Sequence, residues 1–226
     1  NTLKELGLLN REFLIKKFKA PVLRKRLERL GVDHIHELSP FTVTRMGSFE
    51  IAIIPQMSSN SSGLDDDVNY DLDTSIAIKA KGKVFFNHVD NPLSMSDVTQ
   101  VRNWIFNQMG KIDIACLMSG AASEYPHLFL DIDQEFERKR IVSNSLNELK
   151  SWLELLEPTF YFPAGGTYLI PGRLSFFGHN VAQPSFEEIS YMIQQQNLKV
   201  KPLELEGGYS IDISSADEPI TRTLPK

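Results

Sequence analysis

Cysteine is nearly missing from this chain of 226 residues: Cys116 is its one thiol, which excludes a disulfide framework and a thiolate metal cluster built within the chain. No apolar run approaches the roughly 20 residues that a membrane-spanning helix needs, so a soluble, cytoplasmic protein without a membrane partner is the expectation. A large excess of charge of one sign is missing too. With 24 basic against 29 acidic side chains the net charge is -5, and no clustered basic surface of the kind a nucleic-acid binder carries is expected. Arg24, Lys25, Arg26 and Arg29 read as a solvated basic face. The start lacks Met, a charged n-region and an apolar h-region. A single domain over residues 1–226, a piece of a longer reading frame and incomplete at its N-terminus, is therefore expected.

What is present is a change of rhythm along the chain. Residues 13–18 form a short apolar, β-branched run, and Pro21 then opens a helix carrying Leu23, Leu27 and Leu30 before Gly31 stops it. Strand-like pieces follow at residues 34–38, 41–45 and 48–55, and a long polar loop at 56–73 holds Asp65, Asp66, Asp67, Asp71 and Asp73. Residues 74–80 and 83–86 flank Lys81-Gly82 as a β-hairpin. Val98, Val101, Ile105 and Met109 predict a helix ending at Gly110, and 112–118 reads as a strand covered on both faces, with Cys116 a small core residue. Ser145 with Glu148 has the spacing of a capping box ahead of the stripe Leu149, Trp152, Leu153 and Leu156, which Pro158 ends. A strand at 159–162 and a second capping signature, Ser185 with Glu188 ahead of Ile189 and Ile193, complete the pattern. Strands alternating with amphipathic helices imply an α/β chain of layered sheets with helices outside.

Two strand ends draw attention as sites. Val84-Phe85-Phe86 stops abruptly in Asn87-His88-Val89-Asp90-Asn91, so that Asp90 is a candidate hard-oxygen metal ligand with His88 beside it. The alternative is that Asp90 caps the helix near Ser94 or bonds the turn at Pro92. The strand at 112–118 runs into Ser119-Gly120-Ala121-Ala122-Ser123-Glu124-Tyr125-Pro126-His127. Small residues there let a backbone approach a ligand, and Ser119, Tyr125 and His127 offer hydrogen-bonding groups; the alternative is a tight strand-to-loop exit. The two tips are expected on a common rim. Ser119-Gly120 lacks the flanks of a nucleophile elbow. His34 and His36 share a strand face but have no adjacent third ligand, and the acidic loop lacks the ordered spacing of a calcium loop.

The order of these pieces resembles the metallo-β-lactamase fold superfamily. Lys81-Gly82-Lys83-Val84-Phe85-Phe86-Asn87-His88-Val89-Asp90, then a helix, then Asp113-Ile114-Ala115-Cys116-Leu117-Met118-Ser119-Gly120-Ala121 and Tyr125-Pro126 carry the resemblance, with Asp73-Thr74-Ser75, Phe162-Pro163-Ala164-Gly165 and the Pro184 region compatible. It is most similar to the branch of CMP-sialic acid hydroxylases and related Rieske-linked proteins. The resemblance implies an αββα four-layer sandwich with one or two metals, usually zinc, at a sheet edge. It makes Asp90 the family's later aspartate, which can bridge two metals; His88, Ser119, Tyr125 and His127, at the two strand ends, are the expected substrate-binding residues. The family's H-x-H-x-D-H motif would precede Asn1. Its middle and late histidines would fall near residues 56–60 and 163–167, where this sequence has none, and His179 comes later than the late one. Three functions follow: a metal-dependent hydrolase acting on a small-molecule ester, amide or phosphodiester; a nucleotide-sugar-binding domain serving a Rieske or other domain; or a non-catalytic domain that has lost its ligands.

Overall fold

The structure is a computed structural model. It describes residues 2–57, 73–91, 93–120, 123–164, 170–205 and 209–212, and the backbone alone at 220–222. The backbone divides into two compact units, residues 1–111 and 112–226.

In the first unit, helix α1 (Thr2–Glu5) precedes strand β1 (Phe13–Lys16), helix α2 (Val22–Arg29) and strand β2 (Ile35–Leu38), with β1 and β2 paired in parallel. Helix α2 buries none of its residues, so its leucine stripe is amphipathic without being core. An antiparallel meander follows, β3 (Thr44–Met46), β4 (Phe49–Pro55), β5 (Thr74–Ala80) and β6 (Lys83–His88). The expected strand at 41–45 is displaced to β3, because Phe41 takes a left-handed backbone (φ 52°) that no strand tolerates. Lys81 and Gly82 both have positive φ (48° and 76°), the requirement of a two-residue hairpin turn whose twist suits the flanking strands. Ile51 and Ile53 point to one face of the meander, where they pack with Leu38, Leu14, Met46, Ile76 and Ile78. Ala52 and Ile54 point to the other, fully buried. Helix α3 (Met95–Gln108) starts at a capping box, Ser94 with Asp97, and not at a cap from Asp90; it buries Val98, Val101 and Ile105.

The second unit alternates strand and helix. Strands β7 (Ile112–Met118), β8 (Phe160–Ala164) and β9 (Lys201–Pro202) are parallel, with helix α4 (Gln134–Leu156) crossing from β7 to β8 and helix α5 (Phe186–Gln195) from β8 to β9. Strand β7 is buried along most of its length, as its unbroken apolar run requires. A 3-10 helix, 172–180, precedes α5, and strands β10 (Tyr209–Ile211) and β11 (Ile220–Arg222) form a separate antiparallel pair. The Ser185–Glu188 capping box is made as expected. The Ser145–Glu148 pair is not a cap. Helix α4 begins eleven residues earlier, where Asp133 accepts a hydrogen bond from the Phe136 amide at 3.0 Å, and it runs through Ser145 without a break. Buried Val142, Leu149, Trp152, Leu153 and Leu156 form its inner stripe, each large one contributing about 1.5–3 kcal/mol by leaving water.

Candidate functional site

In the first unit the geometry of the β6 tip follows from strand parity. Val84, Phe86 and His88 are two residues apart, so all three side chains enter the same face, and all are buried. His88 is 1% exposed and its ring stacks on Phe86 at 5.6 Å with 7° between planes. The β5–β6 register pairs Ile76 with Asn87, which brings Ser75 opposite His88, and Ser75 in turn pairs with Ile54 of β4. Ser75 Oγ lies 2.6 Å from His88 Nδ1. Asn91 Nδ2 donates to Ser75 Oγ at 2.9 Å and to the Ile54 carbonyl at 3.3 Å. The Asn91 amide occupies one lone pair of the serine oxygen, and the other lone pair and the hydroxyl proton remain for the contact with Nδ1. Burial pushes the His88 pKa down from 6.5 to about 4, and the ring is neutral at pH 7.

Asp90 stands apart from this network. It is exposed and left-handed (φ 62°), a conformation that aspartate tolerates better than most residues. Asn87 Oδ1 accepts from the Val89 amide at 3.1 Å just before it. Together they reverse the chain so that Asn91 can point inward. Neighbours in sequence, His88 and Asp90 thus face opposite environments. At the other end of β6, a cleft of about 260 Å³ lies between the turns at Gly47 and Lys81-Gly82; its Glu50 is paired with Arg45 at 3.1 Å and faces Lys79 at 4.0 Å.

In the second unit the β7 turn is more open. Ser119 and Gly120 are half-buried and line a cleft of about 170 Å³ with Met118 and the α4 residues Ser145, Glu148, Leu149 and Trp152. Gly120 has little room for a side chain, since a Cβ there would meet Pro184 Cδ at 3.3 Å and Gln183 Cγ at 3.4 Å. Tyr161 on β8 is fully buried; burial raises its phenol above the usual range, and the Ser119 hydroxyl partly offsets this. Cys116 is likewise core, its thiol pushed up to about 12 by burial.

Tyr125 and His127 lie in one loop and point differently. The Tyr125 hydroxyl bonds Glu137, which raises its pKa, and its ring meets Phe129 edge-on at 5.3 Å. His127 is 2% exposed, and burial lowers its pKa. Gln134 Nε2 donates to the His127 and Phe129 carbonyls at 3.1 and 2.8 Å, while Asn180 Nδ2 donates to Gln134 Oε1 at 2.6 Å, so the loop is clamped to the 3-10 helix. Gln134, Asn180, Glu148 and Trp152 went unrecognised as site-building residues in the sequence. Glu148 and Trp152 had a visible signal, their place with Ser145 on one helical face; Gln134 and Asn180 had none.

The fit to a metal can now be judged from the donors. Zinc sites need roughly three or four protein ligands. Among the described residues no group of three His, Cys, Asp or Glu could hold an ion. His36 is exposed on β2 and paired to Glu12, His34 is exposed just before that strand, and His179 is exposed in the 3-10 helix. His88 is buried against Ser75, and Asp65, Asp66, Asp67 and Asp71 lie outside the described residues. The described residues do not make a zinc site.

Comparison with known proteins gives the fold. Among the solved chains that match, two cover 86% of this chain: a variant of CmlA beta-hydroxylase, at 17% identity and TM-score 0.54, and CmlA, a diiron beta-hydroxylase from Streptomyces venezuelae, at 16% identity and TM-score 0.53. This fold is α/β, of the metallo-β-lactamase type. The chain spans 38% and 39% of those two chains. No protein-family comparison and no curated protein sequence gives a match.

Proposed function

We propose that this chain is part of a metal-dependent, hydrolase-like protein that acts on a small molecule, and that its described residues form a substrate-facing wall of that protein rather than its metal centre. The distribution of polar groups supports the reading. Histidines that a metal would need are exposed at β2 and in the 3-10 helix or buried in the fold's own packing, as His88 is with Ser75, whereas Ser119, Gly120, Ser145 and Glu148 are left around a cleft. Ser119 binds and orients, and the glycine lets the turn come close. Asp90, exposed on its turn, could join a metal only with ligands from outside the described residues.

The test is metal analysis together with ester, amide and phosphodiester hydrolysis, on this chain and on any longer product of the same reading frame. The chain alone is expected to keep well under one equivalent of zinc or iron after dialysis, and the longer product to carry stoichiometric metal and chelator-sensitive hydrolysis. Tightly held metal on this chain, or a longer product with neither metal nor activity, contradicts the reading. A second reading has one observation in its favour: the CmlA chains are named as beta-hydroxylases, one of them diiron. On that reading the same wall binds substrate for an iron-bearing domain, and the longer product hydroxylates with oxygen and a reductant instead of hydrolysing.

A further inference from the structure

We propose that the cleft between the β7 turn and helix α4 binds a small primary ammonium ion of the amino-alcohol class. The inference rests on the small-molecule reading of the β7 turn and names the chemistry it selects. Ser145, Glu148, Leu149 and Trp152 are spaced i, i+3, i+4 and i+7, so they form one continuous face of α4, opposite Met118, Ser119 and Gly120. Leu149 and Trp152 are buried and make an apolar floor; Ser145 and Glu148 stand higher, at the polar mouth.

Charge decides the class. Glu148 is the one charged side chain lining the cleft among the described residues. Other carboxylates on α4 are already paired: Glu135 with Lys139, Glu137 with Arg140, and Glu154 with Lys150. Glu148 has Asn144, Ser145, Ser151 and Trp152 at its helical neighbour positions, so no cation of its own helix reaches it. A carboxylate left this way beside an apolar floor attracts a cation, and the Ser119 and Ser145 hydroxyls can bond a hydroxyl on the same ligand.

Gln183 packs behind Gly120, outside the residues that line the cleft. Gln183 is 6% exposed, and neither its amide nitrogen nor its amide oxygen has a hydrogen-bond partner among the described residues. Size limits the occupant. A cleft of about 170 Å³ is smaller than the roughly 300–1,000 Å³ that drug-sized ligands take, which fits a two- or three-carbon amine.

The experiment is calorimetric titration of the chain with 2-aminoethanol and, as its neutral twin, ethane-1,2-diol, at pH 7. Saturable binding of the amine, weakened about tenfold or more in Glu148→Gln, is expected, with no saturation by the diol. Glu154→Gln, a change on the same helix outside the cleft, should leave the amine affinity as it was. An amine that does not bind, an affinity untouched by Glu148→Gln, equal loss in Glu154→Gln, or equally tight diol binding would each overturn the proposal. Circular dichroism confirms that the exposed Glu148 and Glu154 variants stay folded. Neither metal nor turnover enters the titration, so it can fail while the hydrolase-like reading stands, and the metal analysis can fail while amine binding stands.

Discussion

Strands β6 and β7 both end an apolar run in a burst of polar residues, yet the two tips behave oppositely. At the β6 tip the polar groups turn inward and bond one another: Asn91 bonds Ser75 and Ile54 through its Nδ2, leaving its Oδ1 without a partner among the described residues, and Ser75 bonds His88. At the β7 tip Ser119 and Gly120 stay half-buried around a cleft, and the Gln183 amide behind them is unpartnered among the described residues. Register explains the closed tip. His88 continues the buried parity of Val84 and Phe86, so a polar side chain had to be accommodated in a core, and a hydroxyl and an amide on adjacent segments do that. Strand β7 leads instead into a glycine pressed against Pro184 and Gln183. A polar strand end is therefore a candidate site only when parity does not carry its side chains inside.

The contrast can be broken most forcefully by acid. Unfolded, His88 takes its proton near its ordinary pKa of 6.5; folded, only near 4. Between those values the unfolded chain binds more protons, so the stability tied to neutral His88 is complete above about pH 6.5 and falls as pH drops toward 4, by on the order of 3 kcal/mol. Urea unfolding across that window, with His88→Gln as the comparison, should show the slope reduced in the variant; equal slopes would place the ring in water. Next in size, Asn91→Ala should cost about 2 kcal/mol in the same assay, since it strips donors from Ser75 and a buried carbonyl. A cost near zero would mean that the network does not hold the tip. At the open tip Glu148→Gln should leave stability within about 0.5 kcal/mol while weakening amine binding, because among the described residues that carboxylate has no hydrogen-bond or ion-pair partner.

Much of this architecture could be read from residue pattern. The hairpin at Lys81-Gly82, the buried run of β7 and the Ser185–Glu188 cap all formed where local chemistry placed them. Failures were of a different kind. Ser145–Glu148 has the same spacing as Ser185–Glu188, but Pro184 breaks the chain before the second pair, whereas residues 134–144 contain no Gly or Pro and simply continue the helix. Without that break, an i, i+3 pair marks a helix face and not its start. Asp90 and His88 could be seen as neighbours, but the left-handed turn that separates their surroundings could not, since a positive φ at a non-glycine residue is set by the tertiary need to bury Asn91. Gln134 and Asn180, 46 positions apart, meet only in the folded chain.

The account depends on His88 being part of the fold's own hydrogen bonding. Nitrogen NMR of the imidazole, at pH 7 with and without one equivalent of zinc or ferrous iron, reads this directly. The structure predicts a neutral ring, with both nitrogen shifts unmoved by the metal. A charged ring, or nitrogen shifts that move stoichiometrically with added metal, would contradict it.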